Sequence, residues 1–449
     1  MTDLLAQSPA AIEAVQNARL HRMLALCARG HAYYQRSWAA AGADPTLIRS
    51  VRDLARLPLT TKAALMAEPE AFRLHVPDLP LPERALWEVI YTTGSTGDPT
   101  PIYSTTHDYH AYLAQARRVA DISGITDRDV IANLFPLTPA PMGAFVRTAA
   151  NAYAAGAAVV AALSGAPQGD FAVHRPLDDA VRLIERHRAT VLWGVTSFVR
   201  RVLLRAAALG ADFSRVRMCA VTGEASSPAM RAELRQGMRN LHTAGAIVFD
   251  RYGATEFGGL AQCREDGEWH NPAPEILYLE VVDPTTGARL PDGARGALAI
   301  THLDRRGTVL LRFVVGDIVS IARAPCPHCG RAGERVIGPV VRSGDLVKVK
   351  GMLINPDLLL AALSAIAELD EFQVVVRRQD TADPFAMDDL VVRAATVATD
   401  RNGLARRIIA DAAAAVGVRP KIEFVTAAEI YDPARQTKLR RFLDLRAAG

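Results

Sequence analysis

Ala85-Leu86-Trp87-Glu88-Val89-Ile90-Tyr91-Thr92-Thr93-Gly94-Ser95-Thr96-Gly97-Asp98-Pro99-Thr100 is the stretch from which the rest of the chain is read. Its first seven residues are rich in apolar, aromatic and β-branched types and read as a strand. The strand feeds a loop that crowds the hydroxyls of Thr92, Thr93, Ser95 and Thr96 around Gly94 and Gly97. Such a loop can wrap a polyphosphate, with backbone N–H groups in a concave nest and hydroxyl donors to phosphoryl oxygens. No Gly-Lys-Ser/Thr closes it, so it is not a Walker A loop. An ordinary polar turn after a strand has the same composition, and the loop alone does not decide between the two.

Outward from this stretch, short apolar runs alternate with helical patterns. Val130 to Phe135, Ala157 to Leu163, Thr190 to Val195, Val216 to Thr222 and Ala246 to Phe249 read as strands. Helical spacing over Leu177 to Arg186, Val199 to Ala208 and Pro228 to Arg239 falls between them, and Pro9 to Arg29 forms an earlier helix. The alternation predicts an α/β domain with largely parallel sheets. A β-rich section follows from Ile276 to Ala322, with turns at Pro284-Thr285-Thr286-Gly287 and Pro291-Asp292-Gly293. Past Arg342 the pattern becomes a compact α+β unit: helices over Pro356 to Ala367 and Leu404 to Ala415, strands near Phe372 to Val376, Asp389 to Ala395 and Lys421 to Val425.

Further along lie Tyr252-Gly253-Ala254-Thr255-Glu256, Gly316-Asp317, Arg342-Ser343-Gly344-Asp345 and Lys438. The first follows a predicted strand, at the sheet edge where side chains meet ligands. Tyr252 can face a nucleobase, Thr255 a phosphate, and Glu256 a Mg2+ ion, a hard cation that takes oxygen ligands. Asp317 suits ribose hydroxyls. Each motif alone also reads as a common turn.

Their order and spacing resemble the adenylate-forming superfamily of acyl-CoA synthetases, peptide-synthetase adenylation domains and luciferases, and within it the phenylacetate–CoA ligase branch. Tyr33-Tyr34, Gly42-Ala43-Asp44-Pro45 and Leu57-Pro58-Leu59-Thr60-Thr61-Lys62 match that branch's N-terminal segment. Gly223-Glu224, Asp250-Arg251-Tyr252-Gly253 and Thr437-Lys438-Leu439-Arg440-Arg441-Phe442 follow its later pattern. The resemblance covers essentially the whole chain. It implies a large N-terminal adenylation domain over 1–341 and a small mobile domain over 342–449, hinged at Arg342.

The implied chemistry has two steps. A carboxylate attacks the α-phosphorus of MgATP, giving an acyl-adenylate and pyrophosphate, and coenzyme A then takes the acyl group. Lys438 would hold carboxylate and α-phosphate, stabilising charge that develops in the transition state. Thr92, Thr93, Gly94, Ser95, Thr96, Gly97, Gly223, Glu224, Asp250, Arg251, Tyr252, Gly253, Asp317 and Arg342 are implied to bind ATP or AMP. Lys350 and Gly351 are implied to approach for the acceptor step after the C-terminal domain swings. Phe135, Met142, Trp193 and Phe198 would line a pocket for a flat apolar acid, an aromatic or arylalkanoic one; each is equally an ordinary core residue. The chain departs from the family's pattern at Asp98 (usually Lys), Gly344 (usually Asp) and Val315 (usually Thr).

Cys326-Pro327-His328-Cys329-Gly330 is a knuckle, and Cys263 and His270 supply two more soft ligands. Cys263, His270, Cys326 and Cys329 suit a closed, structural, tetrahedral Zn2+ site, with His328 left out. Unliganded thiols or a CxxC redox pair are the alternatives. Some members of the resembled branch carry a similar arrangement.

Composition narrows the class. The 449 residues carry 52 basic and 48 acidic side chains, a formal charge of +4 with no long run of one sign, which gives nucleic-acid binding no support. The N-terminus lacks the pattern of a signal peptide, and the longest apolar stretches are too short to span a bilayer. Five cysteines do not make a disulfide scaffold. A cytoplasmic protein without membrane partners is the expectation, and relatives of this type are often homodimers. Two rivals keep the nucleotide site: transfer of the acyl group to an amine, a carrier protein or an inorganic nucleophile, and a non-catalytic nucleotide or acyl sensor. A zinc-knuckle nucleic-acid binder ranks last, because Arg323, Arg331 and Arg335 are too few to make a basic stripe.

Overall fold

The alternating runs resolve into a five-stranded sheet that is parallel throughout. Its order is Ala158–Ala161, Val130–Asn133, Val191–Val195, Met218–Thr222, Ile247–Asp250. Every residue of the central strand Val191–Val195 is buried, as a strand covered on both faces requires. Helices Gly143–Ala155, Leu177–Arg186, Thr196–Leu209 and Pro228–Asn240 connect the strands. The computed structural model describes residues 4–92, 99–137, 143–164, 175–223, 226–342, 347–349, 352–354, 356–379, 388–432 and 439–446.

Element bounds moved by a few residues from the expected ones. The helix expected from Val199 begins at Thr196, directly after strand Val191–Val195, and ends at Leu209 before Gly210, which takes the left-handed conformation at φ 61°. The helix expected to reach Ala367 stops at Ser364, whose hydroxyl bonds back to the Leu360 carbonyl (2.8 Å). Helix Gly143–Ala155 had no counterpart in the reading. Its run of alanines places small apolar residues on every face, so no 3.6-residue stripe stands out.

The β-rich section is a six-stranded antiparallel sheet in the order Ala261–Gln262, Trp269–His270, Arg335–Arg342, Phe313–Ala322, Gly296–His302, Leu277–Val282. The long helix Pro9–Gly30 and helix Ala32–Ala41 share a core with it, built on Leu20, Met23, Tyr34, Leu279, Ile300 and Phe313. Deep in this layer Arg312 pairs with Glu280 (3.0 Å), both almost wholly inaccessible.

Leu86–Tyr91 and Pro101–Thr105 form an antiparallel hairpin in which Tyr91 faces Pro101. The Thr92 N–H donates to the Thr100 carbonyl (3.0 Å) and the Thr100 N–H to the Thr92 hydroxyl (3.2 Å), which closes the base of the Thr/Ser/Gly loop. Helix Thr106–Ser123 follows, started by a capping box between Thr105 and Asp108. The same Asp108 carboxylate accepts the N–H groups of Arg306 (2.8 Å) and Gly307 (2.7 Å), tying the helix start to the antiparallel layer.

The C-terminal unit has its own core, around Leu359, Leu363, Phe372, Val374, Val392 and Ile408. A four-stranded sheet ordered Lys421–Phe424, Asp388–Ala395, Glu371–Arg378, Phe442–Asp444 carries helices Pro356–Ser364 and Arg401–Val416. Arg200 donates to the Asp370 carbonyl (3.0 Å) and Arg201 lies over the Tyr431 ring (5.1 Å), both reaching from helix Thr196–Leu209.

Candidate active site

The carboxyl ends of the parallel strands converge on one edge. The Arg251 N–H donates to the Val221 carbonyl (2.8 Å) and the Thr222 hydroxyl to the Arg251 carbonyl (2.7 Å), so the segment after Ile247–Asp250 is pinned to its neighbour strand. Gly223 follows directly with φ 84°. Gly253–Ala254 then turns back on Gly258–Gly259. A side chain at Gly253 would have its Cβ 2.3 Å from the Gly258 carbonyl oxygen, which is why only glycine follows Tyr252. Thr255 sits half-buried in this turn and Glu256 is buried. The Glu256 carbonyl accepts from His302 Nε2 (2.8 Å), and among the described residues no cation pairs with its carboxylate.

Asp317 arrives from the other layer. Strand Phe313–Ala322 slips register opposite Gly296–His302: Ala297 faces Ile318, but Ala299 faces Val314. Val315-Gly316-Asp317 therefore bulges against one partner residue, with Gly316 at φ 90°. The Tyr252 hydroxyl donates to Asp317 Oδ2 (2.6 Å), joining the parallel-sheet edge to the bulge. Across the ladder Asp317 faces Arg342, so the expected ribose and hinge residues are backbone neighbours.

Other expected residues are buried or half-buried. Burial pushes the Asp250 carboxyl up to about 6, opposed by Arg231 at 3.7 Å. The Arg251 guanidinium stacks 4.0 Å over the Trp193 ring. Phe135, Trp193 and Phe198 all belong to the core of the parallel sheet. Thr93, Gly94, Ser95, Thr96, Gly97, Asp98, Met142, Glu224, Gly344, Lys350, Gly351, Lys438 and the Arg342 side chain lie outside the described residues.

Trp269 was missed by the sequence reading. Its indole N–H donates to the Asp250 carbonyl (2.7 Å) and its ring lies 5.8 Å from that of Tyr252. Only its place beside a candidate ligand, His270, could have drawn attention to it.

Cys263, His270, Cys326 and Cys329 come together with their donor atoms all within 4.8 Å of one another. Cys263 and Cys326 sulfurs are 3.9 Å apart, and Cys329 Sγ lies 3.7 Å from His270 Nε2. A tetrahedron of Zn–S bonds of about 2.3 Å separates its sulfurs by about 3.8 Å, and a sulfur from a nitrogen by about 3.6 Å. The donor set therefore fits zinc in type and spacing. Burial holds the His270 ring down to about 4, which keeps it neutral and its lone pair available. His328 is exposed and outside the cluster.

Residues 17–302 match the family described as AMP-binding enzyme. The chain belongs to that family. It is 27% identical to a phenylacetate-coenzyme A ligase of Thermus thermophilus over 381 residues, 83% of this chain and 80% of the relative. It is 24% identical to the enzyme of the same name from Escherichia coli, over 84% of this chain and 82% of that one. In fold the chain is similar to a 2-hydroxyisobutyryl-CoA ligase solved in the postadenylation state with 2-HIB-AMP, at TM-score 0.78 and 22% identity over 97% of this chain and 90% of the other. The amide bond synthetase McbA from Marinactinospora thermotolerans shares the fold less closely, at TM-score 0.51 and 18% identity over 80% of this chain and 69% of that one. Among the described residues no helix is long and apolar enough to cross a membrane.

Proposed function

We propose that this chain is an ATP-dependent, AMP-forming ligase that converts a carboxylic acid to its acyl-adenylate and passes the acyl group to coenzyme A. The observation that carries the reading is the Tyr252–Asp317 hydrogen bond of 2.6 Å at the carboxyl edge of the parallel sheet. It fixes a ring and a carboxylate side by side, the pair of groups a nucleoside needs for its base and its ribose. Relatives that span four-fifths of the chain and are called phenylacetate-coenzyme A ligases support the acid and the acceptor.

In this reading the loop over 93–98, clamped at its base by Thr92 and Thr100, wraps the phosphates. Glu256 offers a buried carboxylate to Mg2+ on those phosphates. Lys438 brings its ammonium to the carboxylate and the α-phosphate, so that charge developing on the phosphoryl oxygens meets a fixed cation. The unit over 342–449 then turns about Arg342 and presents Lys350 and Gly351 for thioester formation. Cys263, His270, Cys326 and Cys329 hold structural zinc, which braces the strand bearing Trp269 against Asp250 and Tyr252.

The test is product analysis with ATP, coenzyme A and a panel of acids. AMP and an acyl-CoA in equal amounts are expected with at least one acid. AMP with no thioester would overturn coenzyme A as acceptor, in favour of an amine or a carrier thiol. Tight nucleotide binding without AMP from any acid would overturn the enzyme reading in favour of a sensor.

A further inference from the structure

Among the described residues Arg251 is a buried cation without an anion. It is 7% exposed, and its Nη1 finds no hydrogen-bond partner among the described residues. No carboxylate there forms an ion pair with it. Arg251 lies 4.0 Å over the Trp193 ring, with the backbone of Gly259 along one side: a Cβ at Gly259 would lie 3.4 Å from Nη2; Tyr112 is close enough to act on its charge. Burial lowers Arg251 to about 10, which still leaves it charged at neutral pH.

The neighbouring groups do not neutralise it. Arg147 lies 4.1 Å over the Tyr112 ring, and its own charge is met by Glu88. Tyr112 Oη accepts from Asn151 Nδ2 (2.6 Å). Among the described residues one positive charge is therefore in excess in a cluster walled by helix Thr106–Ser123, helix Gly143–Ala155 and strand Val191–Val195. Stacking on an indole recovers only part of what removing a guanidinium from water costs. A buried charge of this kind persists where an anion completes it.

We propose that Arg251 is a specificity-determining residue of the acid site, and that the acid carries a second carboxylate which pairs with Arg251. The inference rests on the adenylation reading and on Trp193 as a wall of the acid pocket. It changes the substrate class from a wholly apolar aromatic acid to a dicarboxylic one. A carboxylate brought against the guanidinium would cancel the surplus charge, while the other carboxylate stays with ATP.

Matched pairs of acids test this by acid-dependent ATP–pyrophosphate exchange: phenylacetate against 4-carboxyphenylacetate, benzoate against terephthalate, heptanoate against pimelate. The native protein should prefer the diacid in at least one pair by tenfold or more in kcat/KM. In Arg251→Gln that ratio should collapse, and Arg251→Lys should restore part of it. A native preference for the monoacid in every pair overturns the proposal even if Arg251→Gln does not fold. So does a diacid preference that Arg251→Gln leaves intact. Exchange with no acid at all would instead remove the adenylation reading on which the proposal stands.

Discussion

The Tyr252 hydroxyl and the Asp317 carboxylate, 65 residues apart in sequence, meet at 2.6 Å where the parallel sheet's edge touches a bulge of the antiparallel sheet. Two layers of the fold thus contribute one group each to the nucleoside site of the proposed function. The bond holds the phenol ring in place and orients Asp317, so its removal should act on nucleotide binding before it acts on the fold. Tyr252→Phe is expected to raise the KM for ATP by roughly tenfold, the scale of one hydrogen bond to a charged group, with the unfolding midpoint little changed. An unchanged KM would separate this pair from the nucleotide.

Zinc should be countable. Metal analysis of the purified protein is expected to find one zinc per chain, and Cys329→Ser to lose it. Loss should lower the unfolding midpoint by roughly 5 °C or more, since metal-binding free energy is folding free energy. Because Trp269 adjoins His270 and bonds to the Asp250 carbonyl, the KM for ATP should rise as well. Full zinc content in Cys329→Ser would contradict the ligand set.

The buried pair Glu280–Arg312 makes a prediction about stability alone. Arg312 also donates to the carbonyls of Leu57 (2.7 Å) and Gly287 (2.6 Å), so it cannot swing out to water without breaking both. Glu280→Ala should cost about 3–5 kcal/mol by leaving that charge uncompensated, read by denaturant unfolding. The doubly apolar variant Glu280→Leu with Arg312→Met should be less harmful than the single one; the reverse order would contradict the argument.

Two buried histidines set an acid limit. Burial pushes His302 down to about 3 and His31 down to about 4. His302 Nδ1 accepts the Leu310 N–H (3.0 Å) while Nε2 donates to the Glu256 carbonyl (2.8 Å), an arrangement only the neutral ring can make. Above the ordinary histidine value of 6.5 neither group matters, because both are neutral folded and unfolded. Below it the unfolded chain takes up protons that the folded chain refuses, so stability falls by about 1.4 kcal/mol per pH unit for each ring. The decline continues until the folded values near 4 and 3 are reached. Unfolding free energies between pH 6.5 and 5 should show this decline, and His302→Gln should remove about 1.4 kcal/mol per pH unit of it. An identical slope in the variant would rule out His302 as its source.

Much of the fold was legible because burial on both faces leaves continuous apolar runs such as Val191–Val195, flanked by amphipathic helices such as Leu177–Arg186. Helix Gly143–Ala155 was not legible, since alanine on every face carries no period. The residues that come together in the candidate site were legible where the pattern is local: Tyr252-Gly253, Gly316-Asp317, and the paired cysteines with Cys263 and His270. Register was not legible. The bulge that presents Asp317 depends on how strand Phe313–Ala322 slips against Ala297 and Ala299, a relation no single segment encodes. Nor was the environment of Arg251, which follows from the Trp193 ring lying under it rather than from its place beside Tyr252.

The most direct test of adenylation is acid-dependent exchange of pyrophosphate into ATP, comparing the native protein with Lys438→Ala. The account predicts exchange with at least one acid and its loss by a hundredfold or more in the variant, at unchanged unfolding midpoint. Exchange that survives in Lys438→Ala would contradict the role given to that lysine. Absence of exchange from a folded native protein that binds ATP would contradict adenylation itself.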